Sequence, residues 1–416
     1  MESDLPRLVL HHDAVQSNIA VMQSYCDERG VLLAPHAKTH LVRELCERQL
    51  AAGAWGLTAA TTAQVRQLEA WGVPRIVHAK VLVDAPGIHW VATTFLGQGA
   101  SAEYLCYVDS VAGALLLERE LAVAGAERPL RVLLERGFEG GRTGVRSPVD
   151  ALQIARHVAG SAWLSLAGVA GFEGLIGDRS GVDELLQSIH QTVVDCHAES
   201  LFDGVPVVTA GGSSFFDAVA RQLGPSSFDF EVQTVLRSGC YVTHDHGLYA
   251  RTSPLAGRLT PALEVHASVL SQPEPGVLIV GFGRRDVPTD AGLPVVLGFQ
   301  SRTGDGDGAS DGGGAGDGQS DGGGADDGES DGGGGGDGHG ASDGGGAPGP
   351  ADTTEWSVFA VNDHHAFLRV PVGVDVSPGT VLRFGISHPC GAFDRWRSIS
   401  ELDADGRIMG VVRPAL

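Results

Sequence analysis

The stretch Pro35-His36-Ala37-Lys38-Thr39-His40 sets one lysine between two histidines. The apolar run Val31-Leu32-Leu33-Ala34 precedes it and a helical pattern opens at Leu41, so Lys38 stands where a strand ends and a helix begins. The chain holds 29 lysines and arginines, and only Lys38 and Lys80 are lysines. A lysine kept where arginine is the habit points to a need for the amine itself. Arginine stays protonated, whereas a lysine of lowered pKa can act as a base or condense with a carbonyl. The plainer alternative is a lysine that only caps a strand end. Lys80 falls inside a strand pattern, Arg75 to Leu82, and is expected to be buried and structural.

Other strand ends carry further candidates. Glu135-Arg136-Gly137-Phe138-Glu139-Gly140-Gly141-Arg142-Thr143-Gly144-Val145 sets Arg142 in a glycine-rich loop. Gly171-Phe172-Glu173-Gly174 closes the next strand, and Thr209-Ala210-Gly211-Gly212-Ser213-Ser214 the one after, running into a helical pattern. Two glycines let the backbone approach an anion, a helix N-terminus aims N–H groups at it, and serine adds a hydroxyl. Alone, such a turn is more often just a turn. A phosphate at Gly211, Gly212 and Ser213 combined with an amine at Lys38 suggests a phosphorylated aldehyde cofactor, pyridoxal phosphate.

These residues need a frame that brings strand ends together. Strand patterns recur at Val31 to Pro35, Gly56 to Ala60, Arg75 to Leu82, Tyr104 to Val108, Arg131 to Glu135, Leu166 to Glu173, Val205 to Ala210 and Phe230 to Leu236. Helical patterns alternate with them, among them Thr61 to Trp71, Val111 to Ala124, Pro148 to Ala159 and Val182 to Glu199. Eight such units predict an α/β fold of the (β/α)8, TIM-barrel type, whose active site gathers at the C-terminal ends of the strands. An open doubly wound sheet is the competing frame. From about Pro261 the pattern changes to short alternating strands, which predicts an all-β second domain. The expected division is 1–255 for the barrel and 256–416 for the β domain, with the first strand, near 8–10, free to join the latter.

Composition narrows the function classes. No stretch offers the roughly 20 apolar residues of a membrane helix. The acidic start Met1-Glu2-Ser3-Asp4 lacks a signal-peptide core, so a cytoplasmic protein is expected. The six cysteines are scattered in sequence and suggest neither a disulfide framework nor a zinc knuckle. The net charge is −22, half of it from ten aspartates and one glutamate between Gly304 and Pro350. The acidic remainder argues against a nucleic-acid partner. The 304–350 stretch repeats Ser-Asp-Gly-Gly-Gly with almost no apolar side chains, so it is expected to be a disordered surface insertion. It lacks the regular aliphatic position of calcium-binding glycine-aspartate repeats.

Taken together, the lysine stretch, the Gly-Arg-Thr-Gly turn at Arg142 and Gly211-Gly212-Ser213 resemble the pyridoxal-phosphate enzymes of the alanine-racemase fold. Within these the chain is most similar to the branch of D-serine dehydratase and D-threonine aldolase. Ser387-His388-Pro389-Cys390 adds to the likeness, because that branch carries a His-x-Cys or His-x-Asp metal pair in its β domain. The resemblance implies that Lys38 is the Schiff-base lysine, beside His36, and that Arg142 faces the pyridine nitrogen. It implies that Gly211, Gly212 and Ser213 hold the phosphate, that Tyr241 lines the cofactor pocket, and that His388 and Cys390 bind Zn2+ or another divalent metal. It further implies a homodimer acting on a small D-amino acid such as D-serine. Elimination to 2-oxo acid and ammonia leads; retro-aldol cleavage is the alternative, and a non-catalytic pyridoxal-phosphate carrier is the other.

Two departures stand out. Phe172-Glu173-Gly174-Leu175 replaces the family's Tyr-Glu/Asp-Gly-His, so a hydroxyl and an imidazole are missing there. His244 and His246 add two histidines near the barrel mouth, and His364 and His365 lie together in the β domain without an assigned role.

Overall fold

The structure is a computed structural model that describes residues 4–97, 102–300 and 353–415. The insertion expected to be disordered, 304–350, lies outside the described residues. The chain opens with strand β1 (Arg7–His11) and helix α1 (His12–Asp27). Strands and helices then alternate: β2 (Leu32–Leu33), α2 (Arg43–Ala51), β3 (Leu57–Ala59), α3 (Thr62–Ala70), β4 (Arg75–Val81), α4 (Ala85–Phe95), β5 (Glu103–Val108) and α5 (Val111–Ala124). They continue with β6 (Leu130–Arg136), α6 (Pro148–Ala159), β7 (Leu164–Gly171), α7 (Arg179–Ala198), β8 (Val207–Ala210), α8 (Phe216–Gln222), β9 (Gln233–Leu236) and α9 (Leu248–Thr252).

Strands β2 to β9 form one eight-stranded parallel sheet in the order β2-β9-β8-β7-β6-β5-β4-β3. Its two ends meet through the parallel bridge of His36 with Thr58 and the bonds Trp55 N–H to Leu33 O and Thr58 N–H to Pro35 O. The sheet is therefore a barrel. Side-chain alternation explains it. Val77, Leu105, Leu133, Ala167, Val207 and Val235 fill the barrel interior, while their neighbours Ile76, Cys106, Val132, Leu166, Val208 and Leu236 pack outward under the helices. Five helices start on a hydroxyl or carboxylate cap: Thr61, Asp84, Ser110, Ser147 and Asp178 each accept from the backbone N–H three residues on. These caps open helices at the mouth end of the preceding strand.

The second domain contains β10 (Leu263–Glu274), β11 (Val277–Val280), β12 (Val295–Phe299), β13 (Ser357–Val361), β14 (Ala366–Arg369), β15 (Val381–Gly385), β16 (Ile399–Leu402) and β17 (Ile408–Val412). The first strand of the chain belongs to this sheet: β1 lies antiparallel to β10 and parallel to β16. The chain thus starts in the second domain and crosses at once into the barrel.

That crossing leaves a polar seam. Arg48 of α2 forms a two-pronged ion pair with Glu401 of β16, at 2.5 and 2.9 Å, and His12 meets the same carboxylate at 2.8 Å. Asn18 bonds the Val242 and Thr260 carbonyls and accepts from Thr260 N–H. Backbone bonds from His246 to Ile386 and from Leu248 to Ser387 tie the segment after β9 to the segment after β15. Glycines permit this contact, since a Cβ on Gly247 would lie 2.6 Å from the Ser387 oxygen. Among the described residues, no helix is long and apolar enough to cross a membrane.

Candidate active site

Lys38 projects from a single 3-10 turn, Ala37–Thr39, directly after β2. Its two histidine neighbours are held as neutral rings. Burial, and then the positive charge of Lys38, push His36 well below its ordinary value. Burial lowers His40 to about 4, and its Nδ1 accepts from the Val42 N–H at 3.0 Å. Lys38 itself is exposed to a cavity of about 300 Å³ at the barrel mouth, within the size range of small-molecule sites.

Four cations line that cavity: Lys38, Lys80, Arg142 and Arg237. Among the described residues, no carboxylate lines it. Arg142 lies 5.3 Å over the Phe172 ring, so the phenylalanine that replaces a tyrosine here serves as a cation-supporting face. Arg237, buried at the end of β9, is fixed by Thr209 Oγ1 at 2.7 Å and the Gly171 oxygen at 2.6 Å. The buried ring nitrogen Nδ1 of His36 and the hydroxyl of Tyr107 have no hydrogen-bond partner, leaving polar atoms for a ligand to satisfy.

Lys80 departs from expectation. It is exposed and shares the cavity with Lys38 instead of being buried in a strand. The ladder between β4 and β5 shifts register between Val77 and Val81, so the last residues of β4 leave the packed wall. The Gly211-Gly212 turn also differs in detail. Gly211 takes φ +95°, open to glycine, and both glycine N–H groups donate to the fully buried Glu173 carboxylate, at 3.2 and 2.5 Å. Those amides are therefore engaged within the protein. Helix α8 starts only at Phe216, and the half-buried Ser213 accepts from the Cys240 N–H at 3.4 Å. Tyr241 is buried, its hydroxyl accepting from Gln49 at 2.9 Å, and it is not among the cavity-lining residues.

Against the Lys38 turn lies a second group. His388 and Cys390 come from the loop after β15, and Cys240 from the turn after β9; their ligand atoms all lie within 4.8 Å of one another. The two sulfurs are 3.4 Å apart, so cysteines scattered in sequence form a close pair in space. Thr39 Oγ1, one residue from Lys38, is 3.7 Å from the Cys240 sulfur. His388 Nδ1 contacts Asp290 at 2.7 Å, while its buried Nε2 has no hydrogen-bond partner. Hydrogen bonding to Cys390 holds Cys240 well below the ordinary thiol range, and the same contact pushes Cys390 up. Burial opposes charge on His388, but the Cys240 thiolate and the Asp290 carboxylate outweigh it and raise the ring to about 9. Two soft sulfurs and an imidazole form a donor set suited to zinc.

The other histidines fall elsewhere. His244 is buried in the left-handed region at φ 47°, and burial lowers it to about 4. His246 packs in the seam against Gly385. His364 and His365 are exposed and belong to neither group. Sequence reasoning missed Lys80, Arg237 and Cys240, although Arg237 and Cys240 follow the end of β9 as the other site residues follow theirs.

The family model described as "Putative serine dehydratase domain" matches residues 262–400, the stretch that contains His388 and Cys390. D-threonine aldolase of Arthrobacter sp is 28% identical over 305 residues, spanning 71% of this chain and 76% of the relative. D-threo-3-hydroxyaspartate dehydratase of Delftia sp. (strain HT23) is 29% identical over 252 residues, 53% of this chain and 63% of the relative, and its solved structures include a cysteine mutant in metal-free form. The crystal structure of D-threonine aldolase from Filomicrobium marinum superposes with a TM-score of 0.73 at 20% identity, covering 99% of this chain and 95% of that one. The barrel with its appended sheet is likewise that of alanine racemase. Fold and relatives point the same way: the barrel and sheet are those of the alanine-racemase fold, and in sequence the chain is similar to D-threonine aldolase and D-threo-3-hydroxyaspartate dehydratase, with a serine-dehydratase-type stretch at 262–400.

Proposed function

We propose that this lyase removes water from a D-3-hydroxy amino acid such as D-serine, releasing 2-oxo acid and ammonia. The observation that carries this reading is the adjacency of the two groups: the turn bearing Lys38 touches the Cys240, His388 and Cys390 cluster through Thr39. An amine and a metal-type donor set side by side suit a substrate that loses a proton at one carbon and a hydroxyl at the next.

The residues fit pyridoxal phosphate. A cavity with four cations and no carboxylate favours an anionic ligand. Bound there, pyridoxal phosphate supplies an electron sink for the pair left when the substrate Cα–H bond breaks. Lys38 would anchor the cofactor, and its free amine Nζ would take the Cα proton as general base. His36, kept neutral, lies beside that amine without competing for its proton. The guanidinium of Arg142 would by like charge disfavour a proton on the group it faces. Gly211 and Gly212 admit close approach at the phosphate end, Ser213 adds its hydroxyl, and Glu173 keeps the turn in shape from behind. His388 and Cys390 would hold a divalent metal, which would supply Lewis acidity for departure of a hydroxyl.

Retro-aldol cleavage is favoured by the 28% identity to D-threonine aldolase and by the 25% identity to a 3-hydroxy-D-aspartate aldolase. These aldolases and the dehydratase are all named for D-3-hydroxy amino acids, so the substrate class is common to the two readings. Incubation with D-serine, D-threonine and D-threo-3-hydroxyaspartate separates them. Accumulation of 2-oxo acid and ammonia supports elimination; glycine or an equivalent fragment plus aldehyde, without 2-oxo acid, overturns it.

A further inference from the structure

We propose that Cys240 is a third protein ligand of the metal, so that barrel and β domain together form a Cys2His site. The inference deepens the reading that His388 and Cys390 hold a metal and rests on it. Cys240 sits on the 3-10 turn Cys240–Val242 that follows β9, while His388 and Cys390 arrive from the other domain, so no sequence spacing links them.

The geometry suits one ion. Tetrahedral zinc with thiolates at about 2.3 Å holds two sulfurs roughly 3.8 Å apart. The Cys240 and Cys390 sulfurs are already 3.4 Å apart, and the imidazole nitrogen completes a triangle with no edge longer than 4.8 Å. The supporting shell is also present. Asp290 holds His388 by Nδ1, which turns the unpartnered Nε2 into the ligating atom, as carboxylate-backed metal histidines are arranged. Thr39 reaches the Cys240 sulfur and gives the thiolate a hydroxyl partner. The edge of the Tyr249 ring meets the His388 ring at a centroid distance of 5.7 Å and shields its flank.

Three protein ligands would leave one open position at a four-coordinate ion. The metal then also clasps the two domains, because the ligand set cannot assemble unless the segments after β9 and β15 are in register. A chain holding its metal by His388 and Cys390 alone would lack that clasp.

X-ray absorption on the zinc-loaded holoprotein counts the ligands without any variant. Two sulfurs and one imidazole nitrogen are expected; one sulfur overturns the third ligand while leaving a metal at His388 and Cys390. Equilibrium zinc titration then compares Cys240→Ser with Asp290→Asn. Loss of a direct ligand should weaken zinc by more than about 100-fold, beyond the 10- to 100-fold typical of an outer-shell partner. Unchanged affinity in Cys240→Ser overturns the proposal. Zinc binding by neither the native protein nor either variant removes the metal reading altogether. Peptide mapping that finds Cys240 and Cys390 joined as a disulfide in active protein also overturns it.

Discussion

The cavity at the barrel mouth and the cluster at the domain seam share a wall at Thr39, yet they are built in different ways. The cavity is made by one sheet: Lys38, Lys80, Arg142, Arg237 and the Gly211-Gly212 turn each follow or end a parallel strand. Its residues converge because the barrel converges. The cluster is made by contact between domains, with two side chains from a β-domain loop and one from a barrel turn, 150 residues apart in the sulfur pair. Cofactor binding should therefore survive changes in the seam, whereas metal binding should fail whenever the seam is disturbed.

The sharpest break of that comparison is Lys38→Ala. An amine that anchors the cofactor and moves the Cα proton should cost on the order of 10⁴-fold in turnover. Lys80, two strands away on the same cavity, supplies only positive field, so Lys80→Met should lower turnover by roughly tenfold or less. Borohydride reduction of the holoprotein gives a direct readout, since only these two lysines exist. Label on the Lys38 peptide is expected. Label on Lys80, which shares the cavity, would exchange the two roles.

Removing the metal is the next largest perturbation and acts on the seam alone. Chelation, or Cys390→Ala, removes several kcal/mol of Lewis-acid assistance, so D-serine turnover should fall by about 10³-fold. The cofactor absorbance should persist, because Lys38 and the Gly211-Gly212-Ser213 turn lie outside the cluster. D-3-chloroalanine carries a leaving group that needs little assistance and should keep most of its rate. The measured quantity is the ratio of the two rates with and without chelator. An unchanged ratio would mean that the metal has no part in the departure of the hydroxyl.

The sequence was most informative where periodicity governs. The eight barrel strands lie where the apolar runs predict, and the helices Val111–Ala124 and Pro148–Ala159 match residue for residue. The short β14, β16 and β17 are not legible in the sequence because four or five residues are too few to show a clear period. Lys38, Arg142, His388 and Cys390 were visible through local motifs. Cys240 was not, because a cysteine beside Tyr241 and Val242 reads as core, and only tertiary contact shows what faces it. Glu173 stands in a legible motif, but its bonds to two glycine amides depend on β7 and β8 being neighbours. Lys80 was misplaced because a register shift at a strand end leaves no trace in apolar periodicity.

Acid should separate the two regions once more, by a smaller amount. The barrel buries His36, His40 and His78 without a carboxylate ion pair, whereas histidines on β1, α1 and β10 have one: His12 with Glu401, and His11 and His266 with Glu264. His78 is the simplest barrel case. Its ring lies between β4 and β5, 1% exposed, with Nδ1 against the Tyr104 hydroxyl at 2.8 Å, and burial lowers it from 6.5 to about 4. Between those values the unfolded chain binds a proton that the folded chain refuses. The stability tied to His78 is thus fully present above pH 6.5 and is lost as pH falls toward 4, at about 1.4 kcal/mol per pH unit and roughly 3 kcal/mol in all. Glu401 has the same sign in a lower window: its pKa is lowered, although burial opposes the charge, because Arg48 and His12 outweigh that cost. Its contribution therefore persists through this window and is lost only as pH falls below its unfolded value of 4.5. His78→Gln can still hydrogen-bond Tyr104 but does not titrate, so unfolding free energies measured in urea at pH 7 and pH 5 should differ less in the variant than in the native protein. An identical difference in the two proteins would mean that the acid sensitivity of the barrel resides elsewhere, with His36, His40 and His244 the next rings to replace.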